Sequence, residues 1–165
     1  PNQPVTVEMP PGRYLVTPNG PSDVACTSMS GGRDVSDEPL ILATDDVEVT
    51  VVCGDAPNRL SGTVRTDRGT LDPDALVVVF PAERRYWSGA DLRPRRLASA
   101  RPSATGVFSM VNLPAGDYFI AAIPVETSEL WQDSRRLEAL TRIAQRFSIA
   151  QAESRAIDLN TARSR

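Results

Sequence analysis

Short runs of β-branched and aromatic residues recur along this chain between turn-forming prolines and glycines, and that punctuation limits it to a strand-built fold. The runs fall at residues 5–9, 13–17, 40–43, 47–53, 60–66, 75–81, 96–100, 107–112, 117–123, 147–150 and 156–160. Some eleven strands at this spacing, with 14 prolines and 10 glycines among them, predict an all-β sandwich. One stretch breaks the pattern. Over residues 133–145, Leu137, Leu140, Ile143 and Ala144 share one face, Asp133 or Ser134 stands at the N-cap, and arginines lie opposite, which predicts a single short helix.

An internal repeat organises the strands. Met9-Pro10-Pro11-Gly12-Arg13-Tyr14-Leu15-Val16 matches Leu113-Pro114-Ala115-Gly116-Asp117-Tyr118-Phe119-Ile120 at an offset of 104 residues. In each copy proline presets a turn, glycine is free to take a positive φ, and tyrosine opens the returning strand with its ring against the core. These residues therefore read as turn chemistry and packing, with no binding role.

What the chain lacks narrows its chemistry. It has no histidine, and all 18 of its basic residues are arginine. Triads and Cys-His pairs need an imidazole, and Schiff bases and phosphate loops need a lysine, so these routes are closed. Paired carboxylates stay formally open among the 21 Asp and Glu, but the expectation is a protein that is not an enzyme and needs no cofactor. At 165 residues the chain can bury roughly two-thirds of its unfolded surface and fold unaided. A net charge of −3 gives no general attraction to nucleic acid or anionic lipid. No apolar run approaches the roughly 18 residues of a membrane span, and the longest, at 75–81, reads as a buried strand. Cys26 and Cys53 stand 27 positions apart, too far for a redox or metal-knuckle motif. The sharper reading is a disulfide in an oxidising compartment, the alternative two buried thiols. The chain starts at Pro1 without methionine, so it is read as processed or truncated, its export signal removed, with a periplasmic or extracellular address.

Several motifs together carry a family resemblance. Leu60-Ser61-Gly62-Thr63-Val64, the turn Asp67-Arg68-Gly69, the strand at 76–81, Thr105-Gly106-Val107-Phe108 and Leu113 to Tyr118 resemble the carboxypeptidase regulatory-like domain, over about residues 59–123. Residues 32–37 and 131–144 are similar to stretches of secreted multidomain proteins of Gram-negative bacteria. The resemblance implies a transthyretin-like Greek-key sandwich and an interaction module rather than an active site. Related sandwiches that cross-link themselves use a lysine, which this chain does not have. The expected organisation is the C-terminal half of one sandwich over 1–58, followed by a complete sandwich over 59–165. About four strands cannot cover both faces of their own core, so residues 1–58 are expected to bury an open face against the second sandwich or a neighbouring protein.

Four features are weighed as sites. Residues 83–96 concentrate arginines and aromatics in one loop, and Arg84, Arg85, Tyr86, Trp87, Arg93, Arg95 and Arg96 suit a carboxylate, phosphate, sugar or protein partner. The plainer alternative is a solvated loop whose tryptophan packs on the sandwich edge. Trp131, at the helix entry, is either an interface anchor or sugar platform or the residue that packs the helix onto the sheet. The acid-rich turns at Asp45-Asp46 and at Asp67, Asp72 and Asp74 do not match a calcium-loop spacing, so no metal is expected. Arg135, Arg136, Arg142 and Arg146 form a basic helix face. The expected function is a non-enzymatic extracytoplasmic structural or interaction subunit, docked by protein contacts, a larger membrane assembly included. A carbohydrate-binding module with a polysaccharide partner, built on Tyr86, Trp87 or Trp131, is the alternative.

Overall fold

The computed structural model describes residues 4–18, 24–87 and 95–162. In chain order the strands are β1 (Gly12–Tyr14), β2 (Ala25–Ser30), β3 (Arg33–Asp34), β4 (Leu40–Leu42), β5 (Thr50–Asp55), β6 (Arg59–Arg65) and β7 (Ala75–Pro81). There follow β8 (Ala98–Ala100), β9 (Val107–Val111), β10 (Gly116–Pro124), β11 (Gln145–Ile149), β12 (Ser154–Ala156) and β13 (Leu159–Asn160), with helix α1 (Ser134–Leu140) between β10 and β11. No helix among the described residues is long and apolar enough to cross a membrane.

Residues from 59 onward form an all-β sandwich. One sheet runs β11-β10-β7-β8, and in the other β6 is flanked by β9 on one side and by β12 and β13 on the other. The run at 75–81 forms β7, and its period-2 alternation serves two cores. Ala75, Val77 and Val79 face the opposite sheet, whose Leu60 and Phe108 share one buried cluster with them and with Tyr118 of the adjacent β10. Val78 and Phe80 face away, and there Trp87, Leu97, Trp131 and Leu137 cover them. A strand buried on both faces must be apolar at nearly every position, hence Ala-Leu-Val-Val-Val-Phe-Pro.

Helix α1 supplies part of that cover but stops sooner than the apolar spacing predicts. Asp133 caps it by accepting from Arg135 N at 2.9 Å, and Leu137 is fully buried. The helix ends at Leu140, short of the 145 expected. Thr141 turns its hydroxyl back onto the Glu138 carbonyl at 2.7 Å, and Gln145 is already claimed by the ladder opposite Ile120. Arg142 and Arg146 consequently lie beyond the helix, Arg146 in β11.

The expected strand at 156–160 is divided in two. Both pieces run parallel to β6, and between them Thr63 N donates to the Asp158 carboxylate at 2.8 Å in place of a ladder bond. The break sits where β6 carries Gly62, whose hypothetical Cβ would overlap the Ile157 carbonyl and come within 2.9 Å of the Phe108 ring. Only glycine lets the two backbones meet there.

Residues 4–55 are built differently. They hold a two-stranded β1-β4 ladder and a three-stranded sheet β3-β2-β5, and no strand ladder among the described residues joins them to the sandwich. Cys26 and Cys53 are paired across β2 and β5 and form the disulfide. The run at 5–9, expected as a strand, joins no ladder among the described residues, and Val5 is 84% exposed and Val7 69%. β2 and β3 went unanticipated, because Ala-Cys-Thr-Ser-Met-Ser lacks the usual apolar alternation.

Gly62→Ala tests the close approach at the centre of β6. It should lower stability by about 2 kcal/mol or more, as overpacked cores do, read as a lower urea midpoint at unchanged m-value. An unchanged midpoint would show that the 157–158 connection can retreat freely.

Candidate functional site

Of the arginine and aromatic residues singled out in the sequence, Tyr86, Arg95 and Arg96 come together where the sandwich meets residues 24–37, and Trp87 and Trp131 lie in the cover over the outer face of β7. After β7 the chain makes a 3-10 turn over Arg84–Trp87. This turn buries Trp87 against Phe80 edge-on, ring centroids 5.9 Å apart, and lets its Nε1 donate to the Pro81 carbonyl at 2.8 Å. Arg84 is exposed and pairs with Glu138 of α1 at 2.7 Å, and Arg85 pairs with Glu83 at 2.8 Å. Tyr86 is half-buried between two guanidinium groups, that of Arg85 4.6 Å and that of Arg96 4.9 Å from its ring centroid.

Arg96 is the hub. Its Nε donates to Asp37 at 2.8 Å, and its Nη1 to the Tyr118 hydroxyl at 3.0 Å and the Ala115 carbonyl at 3.2 Å. Arg95 approaches the same carboxylate, Nε to Asp37 at 3.2 Å, and sends Nη1 to the Cys26 carbonyl at 3.2 Å. One aspartate thus answers two arginines, and all three side chains are at most 17% exposed. The Tyr118 hydroxyl donates to the Pro114 carbonyl at 2.7 Å, and Tyr14 repeats the contact with Pro10 at 2.7 Å. The two copies of the Pro-x-Gly-x-Tyr motif therefore share a tyrosine corner. They differ at the glycine. Gly116 takes φ 151°, and a Cβ there would stand 2.9 Å from Arg96 Nη1, whereas Gly12 does not take a positive φ.

Burial pushes the Tyr118 phenol well above its ordinary pKa, with Arg96 opposing, so it stays a neutral donor. Burial works against the charge on Arg96, yet the Tyr118 oxygen and the Asp37 carboxylate outweigh it and hold the guanidinium above its usual range. Partial burial likewise works against the Asp34 carboxylate, but hydrogen bonding with Ser36 keeps it below the usual value. Asp117 is held low by Ser148 and then Arg146. None of these shifts prepares a base or nucleophile for neutral pH.

The junction also bounds a cleft of about 130 Å³, lined among others by Cys26, Asp34, Asp37, Asn58, Arg95 and Arg96. Small-molecule sites usually run from about 300 Å³ upward. The arginine donors that line the cleft already hold carboxylate and carbonyl oxygens, so the arrangement joins two parts of the chain.

The structure therefore divides the expected residues. Trp87 and Trp131 lie in the second core, 6% and 9% exposed, and present no open face to a sugar or a partner. Arg95 and Arg96 are spent on the junction, Arg84, Arg85 and Tyr86 remain at the surface, and Arg93 lies outside the described residues. Of the acid-rich turns, Asp72 accepts from Thr161 Oγ1 at 2.5 Å and from Asp74 N at 3.1 Å. Among the described residues no three His, Cys, Asp or Glu groups converge on a metal-sized site. Asp37 was missed as a functional residue, since nothing local ties it to arginines 58 and 59 positions away.

No protein-family model and no curated protein matches the chain. Among solved structures it is similar to the TIE protein of Bacillus anthracis, with a TM-score of 0.39, 12% identity, and 90% of this chain and 33% of that chain covered. It is also similar to BcpA, the major pilin subunit of Bacillus cereus, with a TM-score of 0.40, 10% identity and 90% and 57% covered. For the pilus backbone RrgB of Streptococcus pneumoniae the values are 0.35, 8%, 85% and 49%. The chain spans between 33% and 57% of the length of these proteins. Similarity this distant leaves function to be argued from the chain's own surfaces.

Removing the shared carboxylate tests the junction. Asp37→Ala strands two guanidiniums and should cost about 3 kcal/mol in chemical denaturation. Arg84→Ala, which breaks an exposed pair, should cost no more than about 1 kcal/mol. Equal effects would mean that the junction is as solvated as the surface.

Proposed function

We propose that this chain is a non-enzymatic structural or interaction module of an exported protein, and that its first part, residues 1–58, is the side that engages a protein partner. The second part, 59–165, is read as a carboxypeptidase regulatory-like sandwich that carries it. The observation behind this is the distribution of exposed apolar side chains. Among the described residues, Val5, Val7, Met9, Ile41, Val47, Val51 and Val52 are at least 40% exposed within the first 58 positions, whereas the longer second part has five such side chains, Leu71, Val107, Val111, Leu130 and Ile143. Val51 and Val52 sit on β5, which has β2 on one side and no partner strand among the described residues on the other. An exposed β-branched edge strand is a template for pairing, and natural monomers protect such edges with charge, proline or cover. The disulfide supports a site outside the reducing cytosol. The absence of histidine and lysine, and the lack among the described residues of a titratable group tuned toward neutrality, support a role without catalysis.

Hydrogen exchange on the chain purified alone, compared with the chain recovered natively in its assembly, tests this reading. Amides over 5–9 and 50–55 should exchange quickly in the isolated chain and slow by about tenfold or more on assembly. Full protection in the isolated chain, or no gain on assembly, would remove residues 1–58 from the partner surface.

A further inference from the structure

The two parts of the chain carry opposite charge. Residues 1–58 hold nine Asp and Glu against two Arg, a net −7, and residues 59–165 hold twelve against sixteen, a net +4. Each part also has exposed stretches in which charge outside any ion pair among the described residues stands close in sequence to exposed apolar groups. In the first, Glu8, Asp45, Asp46 and Glu48 are exposed and take part in no ion pair among the described residues, and they alternate in sequence with the exposed valines of 5–7 and Val47. In the second, Arg135, Arg136 and Arg142 are exposed on α1 and the turn after it, again with no ion pair among the described residues. Beside them Leu130 is 81% exposed and Ile143 55%.

Leu130 is held in the left-handed region at φ 53°. A leucine seldom adopts that conformation, because its Cβ crowds the backbone there. Here the turn buries Trp131 and leaves Leu130 in solvent at the foot of the arginine-bearing helix.

Within one copy, the two parts meet through the pairs of Arg95 and Arg96 with Asp37, the bond of Arg95 to Cys26, and the bonds of Asn58 with Leu113, Asn112 and Glu153, and none of these involves either surface. Two first parts at −7 each repel one another, which disfavours a symmetric contact between them. The first part of one copy against the α1 side of the next brings opposite charges and apolar groups together. We propose that copies of this chain associate head to tail, the acidic, valine-bearing stretches 5–9 and 45–52 docking on the Arg135, Arg136, Arg142, Leu130 and Ile143 side of the following copy. The occupant of the docking surface is then a second copy, an identification that rests on reading residues 1–58 as the partner side. Such a contact is heterologous, so it leaves a free surface at each end and association grows with concentration.

Sedimentation velocity on the purified 165-residue chain tests this. In 50 mM NaCl the average mass should rise with concentration, and in 500 mM NaCl the apparent Kd should weaken by at least about tenfold, because paired exposed charges are screened. Asp45→Arg with Asp46→Arg, and separately Arg135→Glu with Arg142→Glu, should each give a monomer, and an equimolar mixture of the two should associate again. A wild-type chain that stays monomeric at every salt and concentration overturns the proposal. So does an Arg135→Glu, Arg142→Glu variant that dimerises unaided, since that contact would be symmetric. Should either variant misfold by circular dichroism, the wild-type salt series decides alone. A monomeric wild-type chain whose 5–9 and 50–55 amides still gain protection in the native assembly would reject self-association and leave the partner surface to a different protein.

Discussion

The molecule is organised by a sheet that is apolar on both faces. β7 and the middle of β10 bury every second side chain between the two sheets and the others beneath Trp87, Trp131 and α1. A sheet of this kind cannot stop at two layers, because Val78, Phe80, Ala121 and Ile123 would otherwise lie in water, at a cost of roughly 1.5–3 kcal/mol for each large side chain. The 3-10 turn after β7 and the helix before β11 are therefore a third layer. That requirement withdraws the two tryptophans from ligand binding.

The same layer fixes where the two parts of the chain meet. The segment leaving the third layer returns to the sheet through Arg95, Arg96 and Leu97, and Leu97 is anchored in the second core. With Leu97 held there, its two neighbours reach out of the sandwich toward Asp37 on one side and the Tyr118 corner on the other. Buried ion pairs contribute little net stability, since desolvation offsets attraction, but breaking one is costly. The Asp37 cluster accordingly contributes to the junction mainly through the cost of separating its charges.

Much of this was legible in the sequence where local pattern decides. Residues 75–81 announce β7 because burial on both faces leaves only apolar residues, and the two Pro-x-Gly-x-Tyr motifs announce matching turns because a corner of this kind needs those residues at that spacing. Legibility fails where a distant residue decides. Ala25 to Ser30 has no strand pattern of its own, and becomes a strand through the ladder with β5 and the disulfide. Arginines beside tryptophan read alike whether the ring faces solvent or a core, and for Trp87 the outcome depends on Phe80 and the Pro81 carbonyl. The helix runs short because Gln145 belongs to a ladder with Ile120, a partner 25 positions back that helical periodicity does not register.

The contrast between the two parts bears on what each can do. The sandwich has two clusters of buried side chains, whereas within residues 4–55 the buried groups are few: Val35, Cys26, and the serines 28 and 36. Ser28 N donates to Ser36 Oγ at 2.7 Å, and Ser28 Oγ donates to the Val16 carbonyl at 2.8 Å, so polar contacts occupy much of the place of a core. Contacts of that kind contribute only about 1 kcal/mol each, far less than a filled interior. A disulfide closing a loop of this size adds roughly 3 kcal/mol by restricting the unfolded chain, which is large against so small a core. The first part is thus stapled where the second is packed. A stapled sheet with uncovered valines keeps its strands in place without burying them, as the association surface proposed for it requires. Its dependence on the Cys26–Cys53 bond ties that surface to an oxidising environment.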